Sequence, residues 1–294
     1  MSKVFVALVA TIDSAELLQG DGSGHNDLEY QRIYEELLRV DSYDSESSRF
    51  VRAVVRKMRD RGQRMNTVLE VGPGPGQIAI ALGRVIPKVS LVEPNPHLRK
   101  SLSQRLASNG LPFKMFPGYF EDFTCGGEGY DLVVLSHMLY HIDQSKRARF
   151  LDKAYDCVAD GGLMVVAMIH DGGDQYAFVK QFDNKNSSAG EVRDYFRERG
   201  ILLESIVEPT TVVYDQPSVA ENFEEVYKLV YFLVAEDALT RTAYRSMDAA
   251  ESKAFEKKLR NYTWSLMDAQ SGTFSLTMVD EFVFAAKKGG VTEL

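Results

Sequence analysis

Between residues 68 and 77 the chain reads Val-Leu-Glu-Val-Gly-Pro-Gly-Pro-Gly-Gln, an apolar stretch that breaks into glycines at 72, 74 and 76. Glycine lets a backbone enter left-handed turns and approach a ligand closely. A helix starting just beyond such a turn adds unpaired amide groups. Two carboxylates accompany the turn. Glu70 stands immediately before it, and Glu93 closes the next apolar run, where an acid can accept both hydroxyls of a ribose. The chemistry on offer is recognition of a ribose-bearing ligand; the plain alternative is a tight turn flanked by surface acids. A dinucleotide turn would want glycine at 72, 74 and 77, but position 77 is Gln. No Gly-Lys-Ser/Thr follows, which excludes a P-loop.

A second group of reactive side chains follows the run Tyr130-Asp-Leu-Val-Val-Leu-Ser136. A free imidazole titrates near neutral pH, so His137 is a candidate to accept a proton or orient a substrate nitrogen. Its plainer role is a hydrogen-bonding wall, and Tyr140 is expected to line the same pocket. His137 and His141 have the i, i+4 spacing of helical zinc sites. Position 138 is Met and no third ligand stands near, so no metal is expected. Tyr30 with Tyr34 and Tyr227 with Tyr231 form aromatic pairs at helical spacing. They read either as helix packing or as a cage for a cationic amine, worth about 0.5–2 kcal/mol per ring. Trp264 reads as core, and Glu221, Glu224 and Glu225 as a solvated helix face.

The elements that must carry these groups follow from periodicity. Residues 17–27 hold three glycines among polar spacers, so residues 1–26 read as an arm. Helices are expected over 28–40 and 46–62. From residue 67 short β-rich runs alternate with helical stretches: strands at 67–71, 89–92, 112–116, 131–136 and 162–168, with helices at 75–85, 96–109 and 145–158. That alternation means a parallel sheet with helices on both faces. The last third departs from it, with helices over 189–199, 219–236 and 247–267, strand-like residues 201–214, and a long final strand, 274–286.

Composition narrows the partners. Thirty-four Lys and Arg against 42 Asp and Glu give a formal charge of −8, which disfavours nucleic acid and suits a small cationic ligand. No apolar run reaches the roughly 20 residues that cross a bilayer, so no membrane is expected. Residues 4–10 are apolar but end early at Asp13, which argues against a leader and for a cytoplasmic protein. Cys125 and Cys157 can form one bridge at most and read as two reduced thiols.

At residues 68–76, at Val92-Glu93-Pro94, at Tyr130–Ser136 and at Asp160-Gly-Gly-Leu163 the sequence resembles the class I S-adenosylmethionine-dependent methyltransferases. The resemblance implies an α/β, Rossmann-like, seven-stranded and mostly parallel sheet with an antiparallel C-terminal strand, here Phe274–Ala286, plus a helical substrate cap. It implies an arm over 1–26, a helical cap over 27–64, a core over 65–215 and 272–288, and a helical insertion over 216–271. It also implies S-adenosylmethionine as cofactor and S-adenosylhomocysteine as product. Gly72 and Gly74 would then meet the amino-acid end of the cofactor and Glu93 the ribose, with Glu70 and Gly76 also in the cofactor site. Phe120 and Glu121 would meet the adenine, with Asp122 as the competing acid, and Ser136 would lie near the sulfur.

Val92-Glu-Pro-Asn-Pro, His137-Met-Leu-Tyr-His141 and the final strand look like the histamine N-methyltransferase-like small-molecule methyltransferases. That family's active-site glutamine falls on His137, its substrate-binding acid at about Tyr43 (with Asp41, Asp44 and Glu46 close by), and its C-terminal asparagine at about Met278. By the same resemblance Tyr30 and Tyr34 line the substrate. The expectation is N-methylation of a small amine or imidazole. O-methylation of a small hydroxylated molecule, or a cofactor-binding protein without turnover, are the alternatives.

Overall fold

The computed structural model describes residues 43–62, 64–182, 187–214, 219–235, 244 and 246–288. Seven strands form one sheet in the order β3-β2-β1-β4-β5-β7-β6: β1 Thr67–Val71, β2 Lys88–Glu93, β3 Phe113–Pro117, β4 Tyr130–Ser136, β5 Val158–Ile169, β6 Leu203–Tyr214 and β7 Phe274–Ala286. β1 is parallel to β2 and to β4, β2 to β3, and β4 to β5, while β7 runs antiparallel to β5. The central strands are near-continuous apolar runs because both faces are covered. Leu132 and Val134 pack into one layer with Phe50 and Val54 of α1 (Tyr43–Asp60), Ile78 and Leu82 of α2 (Gln77–Gly83), and Leu102 and Leu106 of α3 (Pro96–Ser108). Val133 and Leu135 alternate into the opposite layer, with Phe150, Leu151 and Ala154 of α4 (Gln144–Asp156) and Val192 and Phe196 of α6 (Ala189–Glu198).

Local signals set the ends of these elements. Asn95 caps α3, its Oδ1 accepting from the amides of His97 and Leu98 at 2.8 and 3.2 Å, with Pro96 at the first helical position. Gly110, at φ 68°, leaves the helix in the left-handed conformation. Asp131 joins the starts of β1 and β4: its Oδ2 accepts from the amides of Asn66 and Thr67 and from the Thr67 hydroxyl.

The chain divides into two compact units. One comprises Tyr43–His170, Ser187–Glu208 and the chain from Asp280 onward. The other includes α5 (Asp174–Phe182), α7 (Val219–Ala235), α8 (Ala249–Ser265) and the first half of β7. Within this second unit Tyr262 stacks on Phe178 at 4.2 Å and donates to the Asp174 carbonyl, while Asp174 Oδ2 accepts from the Thr277 amide. Asp248 and Glu251 form a capping box at the start of α8.

Several features depart from the sequence reading. Gly161 and Gly162 lie within β5 rather than ahead of it. Pairing jumps from Tyr130–Val158 to Leu132–Leu163, and a Cβ at Gly162 would stand 2.9 Å from the Asp131 carbonyl, so the glycines serve a bulge pressed against β4. α5 is a short helix with too few apolar positions to show a period. Trp264 is 44% exposed, lying flat on Phe223 instead of filling the core. Cys125 and Cys157 are bridged, with Cα atoms 5.5 Å apart, where two free thiols were expected. The expected arm and the helix over 28–40 lie outside the described residues.

Candidate active site

The glycine turn joins β1 to α2, and each glycine has a positive φ: 66° at Gly72, 53° at Gly74 and 82° at Gly76. At Gly76 a side chain is excluded twice, because an added Cβ would run into Leu102 Cδ1, whose side chain is fully buried. Gly72 donates to the Val92 carbonyl at 2.8 Å, holding the turn against the end of β2. Glu93 completes that contact from the other side. Its Oε2 accepts from the Gly74 amide at 3.2 Å and its Oε1 from the Asn95 amide at 2.9 Å. The turn is also tied to α3 by Arg105, which donates to the Pro75 carbonyl.

Two acids are thus buried near the ends of adjacent strands, β1 and β2. Glu70 is 2% exposed, and its Oε2 is buried with no hydrogen-bond partner. Its carboxyl is pushed up to about 8, by burial first and by the charge of Glu93 second. Glu93, 3% exposed, rises to about 7 through burial, against the lowering effect of the Asn95 and Gly74 amides and of Arg99. A buried acceptor without a donor costs about 1–3 kcal/mol, so Glu70 is incomplete until a cation or donor reaches it.

The second half of the site lies beyond β4. His137 is the one described non-glycine residue with a positive φ, 49°. Regular alternation after Leu135 would turn position 137 toward the α4–α6 layer. The left-handed backbone, a conformation costing about 1–3 kcal/mol, breaks the alternation. It carries the imidazole to Asp280 of β7, with Nε2 3.8 Å from Oδ1. Asp280 faces the layer that Phe282 shares with Phe50, and Arg49 of α1 stands 3.9 Å from its Oδ2. The His137 and Tyr140 rings stack, and the Tyr140 hydroxyl accepts from the Ile169 amide at 2.6 Å, at the end of β5. Met138 closes the gap between the two halves: a Cβ at Gly72 would lie 3.2 Å from Met138 Cβ. His141 ends a 3-10 turn, Leu139–His141, so the i, i+4 histidines share no helix.

Other expected residues fall in different places. Ser136 ends β4, half-buried. Phe120 is 3% exposed and packs against Phe123 and Phe150 in the core, while Glu121 is exposed beside it. Tyr227 and Tyr231 are buried in the second unit, and the guanidinium of Arg260 sits 4.3 Å from the Tyr227 ring. That cation is the protein's own, which favours the helix-packing reading of this pair. Met278 packs within the same unit, Tyr43 opens α1, and Tyr30 and Tyr34 lie outside the described residues. Asp280 and Arg49 were missed; the adjacent acids Asp280 and Glu281 inside a mostly apolar final strand were the available signal.

A glycine turn after β1, a buried acid ending β2, and an antiparallel β7 inserted between β5 and β6 define the class I methyltransferase fold. The chain belongs to the methyltransferase domain family, whose model matches residues 43–205. The solved structures it resembles include a candidate methyltransferase from Bacillus halodurans (16% identity, TM-score 0.52, 80% of this chain and 98% of that one). Another is the YcgJ protein from Bacillus subtilis (14% identity, TM-score 0.50, 77% and 94%). Among curated proteins, the ubiquinone biosynthesis O-methyltransferase of a Methylobacterium strain is 28% identical over 104 residues, 35% of this chain and 41% of that protein. The match therefore spans about two fifths of that relative's length. The family implies use of S-adenosylmethionine, and the residues present fit it: a partnerless buried carboxylate for an ammonium, an acid for a ribose, and glycines that leave the backbone bare. No described helix is long and apolar enough to cross a membrane.

Proposed function

We propose that this protein methylates a small molecule, at nitrogen of an amine or imidazole, with S-adenosylmethionine as donor. When bound, that cofactor would supply a methyl group activated on a sulfonium, open to in-line attack by a lone pair with the neutral thioether as leaving group. Glu70 would take the cofactor's ammonium and Glu93 its ribose hydroxyls; the Gly72, Gly74 and Gly76 amides are held by Val92, Glu93 and Pro73, so the turn would offer the ligand bare backbone to lie against. The observation carrying the reading is the left-handed His137, placed beside Asp280 and joined to the glycine turn through Met138.

An amine reaches the site at neutral pH largely as an ammonium, with no lone pair to donate. Beside the Asp280 carboxylate, the His137 imidazole can take that proton, and the resulting imidazolium is stabilised by the acid. Orientation then supplies much of the remaining acceleration, roughly 7–11 kcal/mol at best. The acidic net charge and Asp280 support a cationic substrate. The histamine N-methyltransferase-like resemblance supports nitrogen as acceptor, though His137 in place of its glutamine argues for a different amine. The same His–Asp pair also suits a hydroxyl, whose proton must leave during transfer, so O-methylation is the second reading.

The test is calorimetric titration with S-adenosylmethionine, S-adenosylhomocysteine and NAD, followed by a methyl-transfer screen of amines, imidazoles and phenols. Binding of the first two without NAD, and turnover on an amine, is the expected result. Turnover on phenols alone selects the second reading, and binding of neither sulfur compound removes both.

A further inference from the structure

The segment that follows β3 is held to α4 at three points along one stripe of that helix. Phe120 packs its ring on Phe150, centroids 5.0 Å apart. Lys153 donates from Nζ to the Glu121 carbonyl at 2.6 Å and stands 5.2 Å over the Phe120 ring. Cys157, the C-cap of α4, is bridged to Cys125. Positions 150, 153 and 157 are three and four residues apart, so they share one helical face. The first two contacts persist in any redox environment, whereas the third can be made or opened by thiol–disulfide exchange. Access is uneven: Cys157 is 1% exposed, while Cys125 is half-buried and followed by the exposed Gly126 and Gly127, around which there is open space.

We propose that Cys125 and Cys157 form a reversible thiol–disulfide site whose state sets how firmly residues 119–125 are presented to the nucleoside end of the cofactor. The inference rests on the cofactor reading above, together with the pairing of Pro117 with Glu93, which starts this segment beside the acid assigned to the ribose. Closure needs a disulfide co-reactant, for which a small-molecule disulfide suffices. The Cys125 thiol loses its proton, and the thiolate attacks the co-reactant, whose S–S bond breaks to release one thiol and leave a mixed disulfide. The Cys157 thiolate then attacks Cys125 Sγ and expels the second thiol. Two protein thiols are oxidised, one external disulfide is reduced, and the two protons pass to the thiols released. With the bridge open, the segment from Phe123 to Gly129 regains conformational freedom, and binding must order it again.

Oxidised protein is prepared with oxidised glutathione and reduced protein with dithiothreitol, and thiols are counted by alkylation and intact mass. Both forms are titrated with S-adenosylhomocysteine, and amide exchange is followed over residues 119–125. Binding about fivefold tighter in the oxidised form is expected, with faster exchange after reduction. The Cys125→Ser protein, altered at the more exposed partner, should bind like the reduced form and ignore oxidant. Equal affinity in the two states overturns the proposal and leaves the cofactor reading standing. Two alkylatable thiols persisting throughout glutathione treatment also overturn it, and absence of binding in both states overturns it together with the cofactor reading.

Discussion

Replacing Glu93 with Gln separates what this acid does for the fold from what it does for the cofactor. In the ligand-free protein both carboxylate oxygens accept amides, Oε2 from Gly74 and Oε1 from Asn95. A carboxamide keeps one acceptor and turns an NH2 toward the other amide, at a cost of about 1–3 kcal/mol. The same change removes a buried charge. The rise of the Glu93 carboxyl from 4.5 to about 7 corresponds to about 3 kcal/mol of unfavourable burial for the ionised form. The two effects have opposite sign and similar size, so the melting temperature at neutral pH should move little. Cofactor binding has no such compensation. Two hydrogen bonds from ribose hydroxyls to a charged acceptor are worth about 1.5–3 kcal/mol each, so their weakening should reduce affinity for S-adenosylhomocysteine about a hundredfold or more. Thermal denaturation and calorimetric titration of the same sample read the two quantities apart. Unchanged affinity in a folded Glu93→Gln protein would refute the assignment of Glu93 to the ribose, and with it the orientation of the cofactor on the glycine turn.

Glu70 and Glu93 are both raised above their unfolded value of 4.5, so between that pH and about 8 the folded state holds more protons than the unfolded one. Stability of the ligand-free protein should therefore be greatest below pH 4.5 as far as these two groups contribute, and should fall as pH rises toward 8. Melting temperatures across pH 5–8 check this, and Glu70→Gln should flatten the slope. Gly76→Ala should lose about 1–3 kcal/mol in urea unfolding, because a left-handed φ of 82° and the Leu102 side chain both oppose the methyl group. Wild-type stability in that variant would mean the turn can relax. Asp280→Asn should lower turnover at least tenfold at neutral pH while leaving S-adenosylhomocysteine affinity within about twofold, if Asp280 acts on the imidazole of His137. A loss of cofactor affinity instead would place Asp280 outside the substrate half.

The sheet was legible because its strands are buried on both faces and its helices on one. Those constraints write themselves into Val68–Val71, Val89–Val92 and Leu132–Leu135 as apolar runs, and into α3 as a cap, a proline and a terminal glycine. The glycine turn and the two acids were legible for a related reason: bare backbone and buried charge demand particular residue types at particular places. Local sequence alone supplied the glycine turn and the two acids. The other half of the site depended on distance in the fold. His137 meets Asp280 across 143 residues only because a left-handed residue ends β4 and β7 enters the sheet antiparallel beside β5. Nothing in the periodicity of either segment encodes that pairing. The same holds for Cys125 and Cys157, which composition alone leaves as two thiols and which the packing of one loop along α4 brings together. Phe120 shows the converse: the family resemblance implies an adenine contact there, and its neighbours in space, Phe123 and Phe150, bury it in the core. Sequence determines which groups are available and which elements carry them, and tertiary structure decides which of them meet, because strand order and handedness set distances that local patterns do not contain.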